Sequence, residues 1–190
     1  FVTGMHMNAL YGKTIDEVMA LSVTAEGTTD DPDLTSSVTL HVGDYLKAVR
    51  KAAANAKDFG VAVTGATKTG LGTVVSIAKS KGATADAAGA AQTDNVLVAV
   101  TLDESGKIVG AVIDTAQVVI NVDATGAITS DLSAELKTKV ELGDAYGMKK
   151  ASGIGKEWYE QAAALAQWMI GKTVDEVAGM KLSDEGTPAE

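Results

Sequence analysis

The stretch "YGKTIDEV" at Tyr11–Val18 returns near the other end of the chain as "IGKTVDEV" at Ile170–Val177. In both copies a Thr stands three residues before a Glu, which is the capping-box pattern that begins a helix. The match resumes without a gap at "EGT", which is Glu26–Thr28 in the first copy and Glu185–Thr187 in the second. A shared register over this distance predicts that the two segments are copies of one structural unit.

The two copies are followed by different sequence. Only the first, residues 1–28, continues into a segment with helical spacing, "VGDYLKAVRKAAANA" at Val42–Ala56. The second, residues 160–187, reaches the end of the sequence where that continuation would begin. We therefore expect residues 1–56 to be a helical segment equivalent to the end of a preceding repeat, and residues 57–190 to be an α+β domain. Either the chain is a piece of a tandem array, or copies of it assemble head to tail.

Between the two copies the apolar residues alternate with period two, which is typical of strands. The segments predicted to be antiparallel strands are Leu71–Ser80, Asp94–Asp103, Lys107–Asp123 and Ala127–Asp131. The sequences "DESGK" and "DATGA" between them are typical of hairpin turns. A strong helical pattern follows at Gly153–Gly171. We predict an α+β fold in which an antiparallel sheet of about four to six strands packs with helices from both chain ends.

Composition excludes several classes of function. The net charge is −9, which argues against nucleic acid and anionic membrane surfaces as partners. The chain has no cysteine, so disulfides, thiolate catalysis and iron–sulfur clusters are excluded. No apolar run reaches about 18 residues, and no transmembrane segment is predicted. Because the sequence begins at Phe1 rather than Met, we expect that a signal or upstream domain has been removed or that the chain is a fragment.

Three familiar catalytic or binding motifs are absent. "GKT" occurs twice, but a phosphate-binding loop needs a glycine five residues before the GK pair, and those positions hold Met7 and Ala166. The two histidines, His6 and His41, have no cysteine to join them in a transition-metal site. No Ser, His and Asp constellation is evident either. A binding, electron-transfer or structural module is therefore favoured over a stand-alone enzyme.

The segment "DLTSSVT" at Asp33–Thr39 precedes the predicted helix and carries the most specific signal. It resembles the acceptor motif of the FMN-binding domain family, in which Asp, two variable residues, Ser or Thr, Gly, Ala and Thr precede a helix. Asp33 matches the Asp, Ser36 the Ser or Thr, and Thr39 the acceptor Thr. Ser and Val replace the Gly and Ala. The resemblance implies FMN attached by its phosphate to the Thr39 hydroxyl by a separate flavin transferase. The alternative is an ordinary Ser/Thr-rich helix start.

The remainder of the chain supports the same resemblance. The strand set and the segment Tyr146–Val177 are similar to repeats of secreted or lipid-anchored proteins of clostridial and related Gram-positive anaerobes, which are related to the FMN-binding domain. Tyr146, Met148 and Trp158 could stack on a flat ring. The alternative is that Trp158 and Met148 close the core. The resemblance implies an FMN-binding-like module that is secreted or at the cell surface and takes part in electron transfer.

The sequence is also consistent with a second function, in which the protein is a structural subunit. The repeated segment and its displaced continuation would let residues 1–56 of one copy contact the next copy, giving a homo-oligomer or an extracellular filament without a cofactor. Neither function involves nucleic acid.

Overall fold

The structure is a computed structural model that describes residues 12–36, 38–65 and 68–189. The chain divides into two compact units, the first ending at Val61 and the second beginning at Ala62. The start of the first sequence copy, before Gly12, lies outside the described residues. The equivalence of residues 1–56 to the end of a preceding repeat stays a prediction.

The first unit is helical. Its helices are α1 (Ile15–Met19), α2 (Pro32–Thr35) and α3 (Gly43–Asp58). The predicted capping box begins α1: the Thr14 hydroxyl accepts the Glu17 amide, and the Glu17 carboxylate accepts the Thr14 amide at 2.6 Å. α1 packs on α3, and the buried apolar side chains are Val18 of α1 and Leu46 of α3. The predicted helix at 42–56 is therefore confirmed as α3.

The second unit is built on an antiparallel sheet of three strands in the order β1-β2-β3. The strands are β1 (Lys68–Ser76), β2 (Gly89–Leu102) and β3 (Ile108–Val122). The hairpin between β2 and β3 turns at the predicted "DESGK", where the Asp103 amide donates to the Lys107 carbonyl at 2.9 Å. Gly106 in this turn has φ +80, a conformation that only glycine adopts without strain.

The predicted strand count of four to six is wrong, because residues 127–131 form no strand. The preceding turn closes as predicted, with the Asp123 amide donating to the Ala127 carbonyl at 2.9 Å. An isolated bridge pairs Val122 with Ile128. The Thr129 amide donates to the Asn121 carbonyl at 2.9 Å, but the Asn121 amide donates to the Ser130 hydroxyl at 2.8 Å. A side chain thus accepts the Asn121 amide, and strand pairing ends there.

Helices follow the sheet in the sequence. They are α4 (Lys139–Leu142), α5 (Trp158–Met169) and α6 (Val174–Ala178), with short 3₁₀ turns at Gly143–Tyr146 and Met148–Lys150. Two of them, α4 and α5, pack on β3. The core between α5 and β3 contains Ile108, Ala111, Ala166 and Met169. The predicted α+β class is confirmed. The helices of the N-terminal end belong to the first unit.

Across the described ranges, no helix combines the length and apolar character that crossing a bilayer requires.

Candidate functional site

The two copies of the sequence repeat fold in the same way, and we call them the first hook (residues 12–29) and the second hook (residues 171–188). Each starts at a glycine with positive φ, +79 at Gly12 and +81 at Gly171. Each continues through a Thr/Glu capping box into a five-residue helix, α1 in the first hook and α6 in the second. The repeat is therefore structural as well as sequential.

The turn that ends each hook is also duplicated. In the first hook the Thr24 amide donates to the Thr28 carbonyl at 2.7 Å, and the two hydroxyls lie 3.0 Å apart. In the second hook the Ser183 amide donates to the Thr187 carbonyl at 2.8 Å, and the two hydroxyls lie 2.8 Å apart. Isolated bridges close both turns, and they pair Val23 with Thr29 and Leu182 with Pro188.

The first hook is covered by the start of α3. The Val42 amide, at the N-cap of α3, donates to the Gly27 carbonyl at 2.7 Å. The His41 ring lies over Gly27, 3.5 Å from the point that a side-chain carbon on Gly27 would occupy. Thr29 is only 5% exposed. The start of α3 therefore covers the turn of this hook at Gly27.

The second hook is attached to the sheet instead. The Ile108 amide donates to the Lys172 carbonyl, and the Gly171 amide donates to the Ile108 carbonyl, both at 2.8 Å. Val177 of α6 packs on the core beneath α5. The far end of this hook, from Gly186 to Pro188, is exposed. Among the described residues, no backbone hydrogen bond joins the first hook to a strand in the way that Ile108 joins the second hook to β3.

The predicted flavin-attachment residues lie in the first unit. Ser36 and Thr39 are exposed, and Asp33 lies within α2; the side chain of Asp33 is outside the described part of the structure. Thr39 falls between α2 and α3. The N-cap residue of α3 is Val42, whose side chain makes no hydrogen bond to the helix end.

The predicted ring-stacking residues lie in the second unit, where Tyr146 and Trp158 meet around a lysine. The Lys139 ammonium is 4.7 Å from the centre of the Tyr146 ring and 5.3 Å from that of Trp158. The Tyr146 hydroxyl donates to the Gln117 side chain of β3 at 3.4 Å. Both rings are half-buried. This aromatic–lysine cluster offers flat apolar surface beside a positive charge, which suits an anionic aromatic ligand.

The backbone of Met148 is held by a carboxylate that sequence reasoning missed. Glu157 is 3% exposed, and its carboxylate accepts the backbone amides of Met148 at 2.8 Å and Lys149 at 3.0 Å. The Glu157 amide in turn donates to the Glu160 carboxylate at 2.8 Å. Glu157 and Glu160 stand at the spacing of a capping box, and this spacing could have been recognised in the sequence. Nothing in the sequence indicated that the Glu157 carboxylate would also bind the amides of Met148 and Lys149.

Two further groups have shifted pKa values near the sheet and α5. A hydrogen bond from Lys79, at 2.9 Å, holds the pKa of Asp94 below its ordinary value, and Gln92 adds to the effect. A hydrogen bond to the Asp144 carboxylate, at 3.1 Å, raises the pKa of Tyr159. Within the described ranges no cluster of three or more His, Asp or Glu side chains could hold a metal ion.

The chain is similar over part of its length to a chlorophenol reductase of Desulfitobacterium hafniense. The two are 36% identical over 91 residues, which is 42% of this chain and 28% of the reductase. This chain thus covers less than a third of that relative. No family model matches the chain. No solved structure matches it either.

Proposed function

We propose that the protein is an FMN-binding module that transfers electrons outside the cytoplasm. The observation that carries this proposal is the resemblance of the Asp33–Thr39 segment to a flavin-attachment motif, together with the exposure of Thr39 ahead of the 16-residue helix α3. A helix of this length presents free amides and a positive dipole end to a phosphate. The partial similarity to a protein named as a reductase agrees with a redox role.

The aromatic–lysine cluster lies in the second unit, and we propose it as a separate binding surface for a flavin ring. Tyr146 and Trp158 would stack on the ring, and Met148 would supply a polarisable apolar contact. The charge of Lys139 would favour the anionic reduced form of the ring by simple electrostatic attraction. When bound, FMN would supply the electron-carrying chemistry, and the residues named here would bind and orient it.

Thr39→Ala tests this function. The protein is coexpressed with a flavin transferase, and bound flavin is measured by visible absorbance and by the mass of the intact chain. We expect a mass increase of one FMN ester in the unchanged protein and in Thr39→Ser, which keeps the hydroxyl. We expect none in Thr39→Ala. Thr35→Ala, at another exposed threonine of the same segment, is the matched control and should stay flavinylated. Flavin retained by Thr39→Ala would overturn covalent attachment at this residue.

A second function is favoured by the pair of hooks. We propose that copies of the chain also assemble head to tail as a structural subunit, because the two hooks share one local structure but contact different elements, the first the start of α3 and the second β3. A contact between unlike surfaces propagates into a chain of subunits. Electron microscopy of the purified protein tests this function, and particles that remain single at every concentration would contradict it.

A further inference from the structure

We infer that the part of the sheet that α4 and α5 leave bare is the floor on which the flavin ring lies. This inference rests on the flavin-ring binding proposed for the aromatic–lysine cluster, and it names the floor and the polar end of that site. The floor consists of Gly70, Gly72 and Val74 of β1 and Val96 of β2, and we call it the shelf. The polar end is the carboxylate of Asp94.

The exposure of one row of side chains across the sheet locates the shelf. Val74 of β1 pairs with Val96 of β2, which pairs with Thr115 of β3, and side chains in such a row lie on one face of a sheet. Val100, four residues after Val96, packs on the core beneath α5, so this is the face that bears the helices. Exposure falls from 68% at Val74 to 38% at Val96 and 5% at Thr115. The helices that pack on β3 therefore leave β1 open.

Two glycines make the shelf flat. Gly70 and Gly72 alternate with Val74 along β1, so a side chain at either position would lie on the same face. Apart from its chain neighbours, a side-chain carbon at Gly70 would meet no heavy atom within 4 Å, and one at Gly72 would meet only the Val98 carbonyl at 3.8 Å. Glycine within a strand often marks a place where a ligand approaches the backbone closely. An apolar ring can therefore lie directly on this strand.

The shelf reaches the aromatic–lysine cluster by way of Asp94. Asp94 stands two residues before Val96 on β2 and therefore shares its face of the sheet. Its partner on β3 is Gln117, whose side chain accepts the Tyr146 hydroxyl of the cluster at 3.4 Å. The shelf and the cluster are therefore neighbouring parts of one surface within the second unit.

The carboxylate of Asp94 is a fixed hydrogen-bond acceptor at the end of the shelf. Its side chain is 15% exposed and accepts hydrogen bonds from Lys79 at 2.9 Å and from Gln92 at 3.0 Å. These two hydrogen bonds lower the pKa of Asp94, and the charge of Lys139 adds to the effect. An ionised carboxylate has about four lone-pair sites, so it can also accept an N–H of a ligand. A flavin ring has an apolar end and a polar end that carries an N–H between two carbonyls, and the polar end suits Asp94 and the neighbouring ammonium groups.

Gly72→Val tests the floor. Valine is favoured in strands and its first side-chain carbon would meet no atom closer than 3.8 Å, so β1 should form at least as well as before. The added side chain would hold a ring away from the strand. Riboflavin is the probe, because it carries the ring without the phosphate, and binding is measured by the quenching of its fluorescence. We expect Gly72→Val to raise the Kd for riboflavin by about tenfold or more.

Ala99→Val is the matched control, because it adds methyl groups to the opposite face of the sheet. Ala99 pairs with Leu71 and Val112, which are both exposed, so the added groups have room and the Kd should not change. If Gly72→Val binds riboflavin as tightly as Ala99→Val, the shelf is not the floor although flavin-ring binding stands. If the unchanged protein does not bind riboflavin, the shelf and the aromatic–lysine site are both wrong, whereas attachment at Thr39 is decided separately by mass.

The polar end has its own test. The riboflavin analogue that is methylated at the ring N–H cannot donate a hydrogen bond to Asp94. We expect the unchanged protein to bind this analogue about tenfold more weakly than riboflavin, and Asp94→Ala to bind the two alike. Glu104→Ala, at an exposed carboxylate in the β2–β3 turn, is the control and should keep the preference for riboflavin. Equal binding of the two probes by the unchanged protein would overturn the role of Asp94.

Discussion

The first and second hooks have the same local structure and different surroundings. Their capping boxes, turns and positive-φ glycines correspond residue by residue. Helix α1 of the first hook packs on α3, and Val18 is 2% exposed, whereas the equivalent Val177 packs on the core of the second unit and stays partly exposed. The comparison shows that a short segment can be specified by its own hydrogen bonds while its burial is set by whichever element docks on it. Four predictions test this separation, from the largest expected effect to the smallest.

Ile108→Ala should have the largest effect. Ile108 is 2% exposed, lies in the core under α5, and its backbone holds the second hook to β3. Loss of its side chain leaves a cavity, so we expect the free energy of unfolding of the second unit to fall by about 3 kcal/mol. Denaturant unfolding followed by tryptophan fluorescence measures this, since both tryptophans lie in that unit. Ile154→Ala, at a residue that is 68% exposed, is the control and should change little.

Val18→Ala and Val177→Ala compare equivalent residues of the two hooks. The Val18 side chain is almost fully buried, so its truncation should cost about 2 kcal/mol. Val177 is partly exposed, so the same change should cost about half as much. Hydrogen exchange of the α1 and α6 amides measures each effect locally. Equal losses at both positions would show that the surroundings of the hooks do not set their stability.

Thr14→Ala and Thr173→Ala should have equal effects, because both hydroxyls accept a Glu amide in the same capping box, at 3.3 and 3.2 Å. Loss of such a cap typically costs about 1 kcal/mol. Hydrogen exchange of α1 and α6 should reveal it, and Thr→Ser at either position should preserve protection. If the substitution lowered the protection of only one of the two helices, the capping boxes would not be equivalent.

The smallest effect is pH dependence at the caps. Hydrogen bonds from the Thr14 and Thr173 amides hold the pKa values of Glu17 and Glu176 below their ordinary values. At pH values above the ordinary glutamate pKa, each cap therefore stabilises its hook. This contribution is lost as the pH falls through the lowered pKa of the folded state. An NMR titration of the two carboxyl groups should give matching downward shifts. Glu17→Gln should remove the acid sensitivity of α1 and leave that of α6 unchanged.

Several features of this protein followed from sequence alone. Both capping boxes, the turn at Asp103–Lys107 and helix α3 were predictable, because each depends on hydrogen bonds or apolar spacing within a few residues. The candidate site was predictable only in part. Tyr146, Met148 and Trp158 were identified as a group, but Lys139 between the rings and Glu157 beneath the Met148 turn were not.

The tertiary structure decided the features that depend on residues far apart in the chain. The sheet ends at three strands because Ser130 takes the hydrogen bond of Asn121. The second hook docks on β3 because Ile108 pairs with the backbone of residues 171 and 172. The physical reason is that local hydrogen bonds define the hook in either copy, whereas the choice of its neighbour is made by long-range packing that neither copy encodes by itself.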